Sequence, residues 1–400
     1  MITQPPSLST RLWELALVFL KLGTIGFGGP QAHIAMANDE AVSKRQWLTA
    51  EQFTEGLAVC EILPGPASTQ MGIYIGYVRA GQIGALVAGL CFIAPAFLIV
   101  VALSWGYFRF QGVPQLDDLF LGVSPVVTAI ILAFCWKLSK KTIQDGWRGG
   151  IAIATFILTT FTPLNVLLQL IGAGLLGLWL FHPRGRSRLS LFLPPLWLAN
   201  LPAEPLTLSS FWGLERIGEF GWPLTSFFVR VGSFIFGGGL VIIPLLEFEV
   251  VERLQWLTRT EFINGVAIGQ LSPGPVVLTA AFVGYKVAGV LGALVASVAI
   301  FTPSFAFIML AAPVLLRVRQ NAWVQAFLKG VMPAVLGAIA AATIPLAQTT
   351  LAQESFINSI AAAVIGLLAL VALLRLKIPS WQLIFAGAAV GLLLGVMPIR

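Results

Sequence analysis

Two short stretches of the sequence combine a helix start with groups that favour a negative charge. The first reads PGPASTQ at 64–70 and the second reads PGPVVLT at 273–279. Because Pro66 suits the first position of a helix, the N–H groups of the next residues would lack partners within that helix. Free N–H groups and the helix dipole together bind anions. The sequence therefore predicts an anion site at 64–70, with a less polar counterpart at 273–279.

A basic side chain precedes a glycine pair by seven residues in each half of the chain. Lys21 precedes Gly28, and Arg230 precedes Gly237. Seven residues make two helical turns, so each pair is expected to share one helix face. A cation inside a membrane span is costly and usually functional. We therefore expect both cations to bind the anion. The alternatives are glycines that serve helix packing and cations that snorkel to the membrane surface.

An acidic residue stands beside only one of the two turns. Glu61 lies three residues before the first PGP, and Gln270 holds the matching position before the second. Burial and a nearby anion would make Glu61 hold a proton more strongly. We hypothesise that Glu61 couples anion movement to protons. The alternative is a structural ion pair of Glu61 with Lys21 or Arg230.

The complete set of predicted binding residues joins both turns, both glycine pairs and both cations. It comprises Lys21, Gly28, Gly29, Glu61, Pro64, Gly65, Pro66, Ser68, Thr69, Gln70, Arg230, Gly237, Gly238, Gln270, Ser272, Pro273, Gly274 and Pro275. His33 is expected to be structural, because its counterpart is Ile242. No spacing of ligands for a metal, no nucleotide-binding loop and no catalytic triad is found, so neither a cofactor nor an enzyme is expected.

Composition indicates the elements that must position these groups. Of the 400 residues, 58% are hydrophobic and 10% are charged, and the mean hydropathy is +0.90. Apolar runs of about 18 residues or more recur along the chain, which predicts an all-α polytopic membrane protein. The net charge of +7 lies largely in short loops, where it sets orientation in the bilayer rather than binding nucleic acid.

The two halves of the chain have similar sequences. The stretch WLTAEQF from Trp47 matches WLTRTEF from Trp256, and GLAVCEILPGP at 56–66 matches GVAIGQLSPGP at 265–275. One constant offset relates these pairs, so we predict a tandem repeat. Its parts are a first repeat at 1–182, a cytoplasmic linker at 183–221 and a second repeat at 222–400.

Loop charges predict that the two repeats are inverted. Loop 137–148 contains four basic residues, whereas its counterpart 347–355 contains none, so the two should face opposite sides. Inversion requires an odd number of crossings in each half, so one of the six apolar segments should enter and return. We assign this re-entrant hairpin to the PGP segments 52–76 and 262–284, which leaves ten full spans. They are 12–36, 82–108, 118–137, 149–163, 165–182, 223–246, 287–315, 322–347, 356–374 and 380–397.

The ordered recurrence of FGG, WLT, PGP and GY resembles the chromate ion transporter family, in its long form with two homologous domains. The resemblance covers nearly the whole chain. It implies a multi-pass protein of the bacterial cytoplasmic (inner) membrane that exports chromate and confers chromate resistance. Sulfate, which has the same shape, is an expected competitor, and a homodimer is an open alternative to a monomer. A sulfate-type importer or anion channel is the second reading, and an intramembrane enzyme or assembly subunit is the third.

Overall fold

Helices make up the structure, a computed structural model that describes residues 7–162, 164–181, 210–236, 239–311, 321–353 and 355–396. Over those ranges no strand is found. Five helical segments are long and apolar enough to cross a membrane, namely Ala67–Arg109, Pro114–Thr142, Val276–Leu310, Ala322–Leu351 and Phe356–Leu376. The predicted class of all-α membrane protein is therefore confirmed at this level.

The helices follow one another with short connections. The first half contains α1 (Leu8–Ile25), α2 (Gly29–Asn38), α3 (Ala50–Cys60), α4 (Ala67–Arg109), α5 (Pro114–Thr142), α6 (Gly146–Phe161) and α7 (Val166–Phe181). The second half contains α8 (Leu214–Gly232), α9 (Ile242–Leu246), α10 (Arg259–Leu271), α11 (Thr279–Ala311), α12 (Ala322–Leu351), α13 (Phe356–Val371) and α14 (Ser380–Val396). A π-helical turn follows α2 at Asp39–Lys44, and another follows α9 at Glu247–Arg253.

The glycine pair of the first half interrupts the helix rather than lying within it. Helix α1 ends at Ile25, and Gly28 precedes α2 with φ of 114°, a conformation that favours glycine. The expectation that Lys21 and Gly28 share a helix face is therefore wrong, because the helix ends between them. In the second half α8 ends at Gly232, and the pair Gly237 and Gly238 lies outside the described residues.

Each PGP turn joins two helices that begin with the same signals. Thr49 caps α3 and Thr258 caps α10, and each shares a capping box with the residue three positions later. After the turns, α4 leaves helical geometry at Ala80 and Gly81, and α11 does so at Ala288 and Gly289. Each long helix therefore consists of a short arm beside the PGP turn and a longer arm beyond the kink.

The end of the predicted linker is ordered structure. Residues 183–209 lie outside the described part of the chain, but α8 begins at Leu214, eight residues before the predicted repeat. The carbonyls of Phe211 and Trp212 accept hydrogen bonds from Val290 N (2.9 Å) and Leu291 N (3.2 Å), just after the α11 kink. Helix α8 therefore begins within the stretch 183–221 that we predicted to be a linker.

Equivalent helices of the two halves make matching contacts, both within each half and between the halves. Helix α1 packs on α4 and α8 on α11, and α4 and α11 cross each other. Helix α5 packs on α13 and α14, while α12 packs on α6 and α7. Small residues permit these close crossings; a side chain on Gly122 would collide with the backbone of Gly387, and one on Gly330 with that of Ala173. The two PGP turns lie where the crossed halves meet.

Candidate functional site

The first PGP turn presents a helix N-terminus, as the sequence predicts. Helix α4 begins at Ala67 directly after Pro66, and its first internal bond runs from Gln70 N to Pro66 O (3.0 Å). The N–H groups of 67–69 find no hydrogen-bond partner among the described residues. They are the orphan donors expected at the start of a helix, and they can hold an anion.

Buried polar side chains surround this helix start without partners. Ser68 is 5% exposed, and Thr69 and Gln70 are fully buried. Ser68 Oγ, Thr69 Oγ1 and Gln70 Oε1 have no hydrogen-bond partner in the described part of the chain. The Gln70 amide nitrogen donates to Pro64 O (2.7 Å), which fixes the side chain across the turn. Buried polar groups are almost always paired, so an unpaired group of them indicates a missing ligand or water.

The first turn rests on elements of the second half. Gly65 N donates to the carbonyl of Ile235, which lies just beyond α8 (2.7 Å). Gly65 has φ of +134°, and a methyl group there would collide with Ser304 Oγ and the Gln70 amide. Ser304 is fully buried in α11, and its hydroxyl also lacks a partner among the described residues. The candidate site is thus enclosed by α4 on one side and by α11 on the other.

The second PGP turn differs in backbone conformation, since Gly274 does not share the positive φ of Gly65, and neither of its hydroxyls is free. Ser272 Oγ donates to Gly269 O (2.8 Å), and Thr279 Oγ1 donates to Val276 O (2.9 Å). The chain after Pro275 forms a 3-10 turn of apolar residues, Val276–Leu278, before α11 begins. The hydroxyls at this turn are therefore satisfied by the backbone around them.

His33 closes the second turn from the first half. Its Nε2 faces two carbonyl oxygens, those of Pro273 (3.0 Å) and Gly26. A ring nitrogen between two acceptors must carry the proton, so His33 donates to this pair. The expectation of a structural His33 agrees with these contacts. Its Nδ1 is buried without a partner among the described residues.

The contacts of the two turns are reciprocal. Gly65 meets Ile235 and Ser304 of the second half, and the second turn meets Gly26 and Ala96 of the first. Ile235 corresponds to Gly26 in the repeated sequence, and Ser304 corresponds to Ala96. The two turns therefore occupy equivalent places but carry different chemistry.

The two predicted cations have different surroundings. Lys21 is exposed and donates to Glu40 (2.9 Å), a buried carboxylate that also bonds Arg45 (3.3 Å). The Lys21 ammonium, with Arg45 and Lys44 behind it, lowers the pKa of the Glu40 carboxyl. Lys21 is not brought to either PGP turn by any hydrogen bond or ion pair among the described residues.

Arg230 is half-buried and has no hydrogen bond or ion pair to another described residue. It lines a cavity together with Asn165 and Glu249. The corresponding carboxylate, Glu249, is instead taken by Arg253 (3.1 Å) and Asn165. Arg230 also lies five residues before Ile235, which bonds the first PGP turn. Arg230 therefore precedes the segment that reaches the polar turn, while the cavity it lines contains no residue of that turn.

Glu61 does not lie in the buried position that the coupling hypothesis assumed. It caps the end of α3 and is exposed. The alternative pairing is not found either, because no ion pair joins it to Lys21 or Arg230 in the described part of the chain. Gln270 is half-buried, and its amide nitrogen is unpaired among the described residues.

Sequence reasoning missed Ser304 and Gly26, which meet the two turns. Ser304 is 234 residues from Gln70, so no local pattern joins them; the only signal was that Ser304 differs from Ala96, its counterpart after the matched prolines. Gly26 permits the close approach of Pro273 O, because a side chain at this position would collide with that oxygen. Gly29, by contrast, faces open space among the described residues.

The family model of the chromate transporter matches residues 13–178 and 222–392 of this chain. The chain belongs to the chromate transporter family. The chromate transport protein of Cupriavidus metallidurans is 37% identical over 388 residues, covering 94% of this chain and 92% of that protein. The probable chromate transport protein of Synechococcus elongatus is 34% identical over 393 residues, covering 96% and 95%.

A shorter relative matches only part of this family member. The uncharacterized transporter YwrA of Bacillus subtilis is 31% identical over 153 residues, which is 38% of this chain and 86% of that protein. No solved structure matches the chain. Family membership and the apolar helices together identify a multi-pass membrane protein.

Proposed function

We propose that the protein is a secondary transporter that exports chromate across the bacterial cytoplasmic membrane and so confers chromate resistance. The observation that carries the proposal is the group of buried, unpaired hydroxyls at the start of α4. Hydroxyl and N–H donors suit the oxygens of a tetrahedral dianion, and the full-length relatives are named for chromate transport.

An inverted repeat is the architecture that best explains the crossed helices. The matching positions of the turns, kinks and capping boxes in the two halves support it, as does a relative that matches 38% of this chain over 86% of its own length. The short arms beside each turn support the re-entrant hairpin. Helix α3 has 11 residues, so at 1.5 Å per residue it spans about 16 Å, roughly half of a 30 Å bilayer core. Ten full spans follow from this proposal.

In an alternating-access mechanism, the site at the first PGP turn would open first to one side of the membrane and then to the other. Broken helices near the midplane bind substrate in transporters built from inverted repeats. Here the first turn is held by Ile235 and the second by His33, so relative motion of the halves would change both contacts together.

Uptake into inside-out membrane vesicles tests the function. Vesicles that contain the protein should accumulate labelled chromate under an imposed pH or voltage gradient, and vesicles without it should not. Sulfate should compete. Equal chromate content in both kinds of vesicle would contradict export, and gradient-driven sulfate accumulation in whole cells would favour the importer or channel reading.

Single cysteines at matched loop positions test the inverted topology. Gln144 and Ala352 are exposed in corresponding connections, after α5 and after α12. On a background that lacks Cys60, Cys91 and Cys135, an impermeant maleimide added to whole cells should label Ala352→Cys and spare Gln144→Cys. Equal labelling of both positions would contradict inversion.

A further inference from the structure

The hydroxyl of Ser304, like those of Ser297 and Thr142, lacks the backbone bond that other hydroxyls on the long helices make. Ser104 donates to Val100 O (2.7 Å), Thr302 to Val298 O (2.7 Å) and Thr343 to Ile339 O (2.7 Å). These bonds to the carbonyl four residues earlier are the usual solution for a hydroxyl in an apolar helix. Ser304 is fully buried yet has no such bond, and its hydroxyl has no partner among the described residues.

The position of this hydroxyl indicates what it serves. Ser304 Oγ lies against Gly65, beside the Gln70 amide, so it is directed at the first PGP turn. On the other side of that turn are the free hydroxyls of Ser68 and Thr69 at the start of α4. A buried donor with no protein partner, directed at a helix N-terminus, marks a place for an acceptor.

The equivalent position at the second turn lacks this donor. Ala96 stands there, and its methyl group lies where a side chain on Gly274 would collide. The carbonyl of Pro273 beside it is an acceptor already occupied by His33. The second turn therefore lacks the equivalent hydroxyl, although the Gln270 amide nitrogen just before it is buried without a partner among the described residues.

We propose that Ser304 of α11 donates a hydrogen bond to the bound oxyanion, so that one composite site per chain forms between α4 and α11. This inference rests on the proposed transport of a tetrahedral dianion. Four oxygens in a tetrahedron need donors from more than one direction, and α4 supplies them from one side only. Ser304 provides a donor from the opposite half, so a bound anion would join the two halves.

The test is equilibrium binding of chromate to the purified full-length protein, with Ser304→Ala as the variant. Loss of a hydrogen bond to a charged group should raise the dissociation constant about tenfold or more. Ser304→Thr keeps the hydroxyl and should bind more tightly than Ser304→Ala. The matched control is Ala96→Ser, which adds a hydroxyl at the equivalent place and should leave the dissociation constant unchanged.

The outcomes separate this inference from the transport proposal. If Ser304→Ala binds chromate as tightly as the natural chain, or lowers only the melting temperature, Ser304 is a packing residue and the inference is overturned while transport stands. If the double variant Ser304→Ala with Ala96→Ser regains natural affinity, the hydroxyl acts at either turn and the single composite site is wrong. If the natural chain itself neither binds nor transports an oxyanion, the proposed function fails.

Discussion

The two PGP turns occupy equivalent positions in the sequence but differ in backbone conformation and in the pairing of their hydroxyls. At the first turn, the hydroxyls of Ser68, Thr69 and Ser304 are buried and unpaired among the described residues. At the second turn the hydroxyls bond the local backbone, and His33 holds the carbonyl of Pro273. Equivalent sequence positions therefore do not mean equivalent function: the hydroxyls of the first turn are free to donate to an acceptor, whereas those of the second turn already bond the backbone.

This difference suggests a division of labour between the halves. The closed turn fixes the α1–α2 break to the start of α11 through His33, so it acts as a structural joint. The polar turn is bonded to the opposite half by the single backbone bond from Gly65 to Ile235 and otherwise presents free donors. Variants at the two turns are therefore expected to differ in their effects on chromate transport.

Removal of both hydroxyls from the start of α4 should have the largest effect. Ser68→Ala with Thr69→Val keeps the volume nearly constant and deletes two donors. With about 1.5–3 kcal/mol for each hydrogen bond to a charged group, the Michaelis constant for chromate should rise about a hundredfold or more. The measurement is uptake into inside-out vesicles.

The control for that variant lies at the other turn. Val277 and Leu278 occupy the positions that correspond to Ser68 and Thr69. Val277→Ala should leave the Michaelis constant unchanged, although it creates a small cavity. A rise of similar size in both variants would mean that the two turns bind substrate equally and would remove the distinction between them.

The cation on the polar side should matter more than the cation on the closed side. Arg230 is unpaired among the described residues and lies in α8, just before the segment that reaches Gly65, whereas Lys21 is exposed and paired with Glu40. Arg230→Ala should lower chromate affinity about tenfold, the value of one charged hydrogen bond. Lys21→Ala should change it less than about threefold, because the Lys21 ammonium is screened by solvent and already paired with Glu40.

Arg230→Lys keeps the charge and serves as the matched control in the same uptake assay. It should retain more affinity than Arg230→Ala. Equal losses in Lys21→Ala and Arg230→Ala would contradict the assignment of the two cations to different roles.

The variant Glu61→Gln tests whether Glu61 couples transport to protons without contributing to chromate binding. Because this carboxylate is exposed at the end of α3, Glu61→Gln should neither unfold the protein nor weaken chromate binding. If Glu61 carries the coupled proton, chromate exchange should continue while the response to a pH gradient is lost. Full gradient-driven transport by Glu61→Gln would exclude Glu61 from coupling. The reverse substitution, Gln270→Glu at the closed turn, should leave the response to the gradient unchanged.

Substitution of His33 should lower the stability of the protein without weakening chromate binding. His33→Ala removes the donor for Pro273 O and Gly26 O, which leaves buried carbonyls unpaired at a cost of about 1–3 kcal/mol. The melting temperature should fall while the dissociation constant for chromate stays the same. Ile242→Val, at the corresponding position, should cost less, about 0.5–1.5 kcal/mol. A large loss of affinity in His33→Ala would place the histidine in the binding site.

Local sequence signals predicted the local parts of the site. Pro66, which suits the first position of a helix, predicted the start of α4 at Ala67, and the hydroxyls after it are buried as an internal site requires. The FGG pair was expected to share a helix face with Lys21, whereas α1 ends at Ile25, before the pair. Because α2 turns back after the break, Lys21 reaches Glu40, a pairing that helical spacing could not indicate.

Contacts between the halves could not be predicted from local pattern. Ser304 and Gly65 meet only because α11 crosses α4, and His33 meets Pro273 because the α1–α2 break packs on the opposite turn. The repeated sequence showed that the halves are alike, but it did not show that each turn is completed by the other half. The burial assumed for Glu61 failed for the same reason, since burial depends on what packs against α3.

Binding stoichiometry tests the central claim most directly. The claim is that the first PGP turn holds the only oxyanion site in the described part of the chain. Titration of the purified protein with labelled chromate should saturate at one anion per chain, and Ser68→Ala with Thr69→Val should abolish that binding at the same concentrations. Saturation at two anions per chain, or undiminished binding by the double variant, would contradict the account.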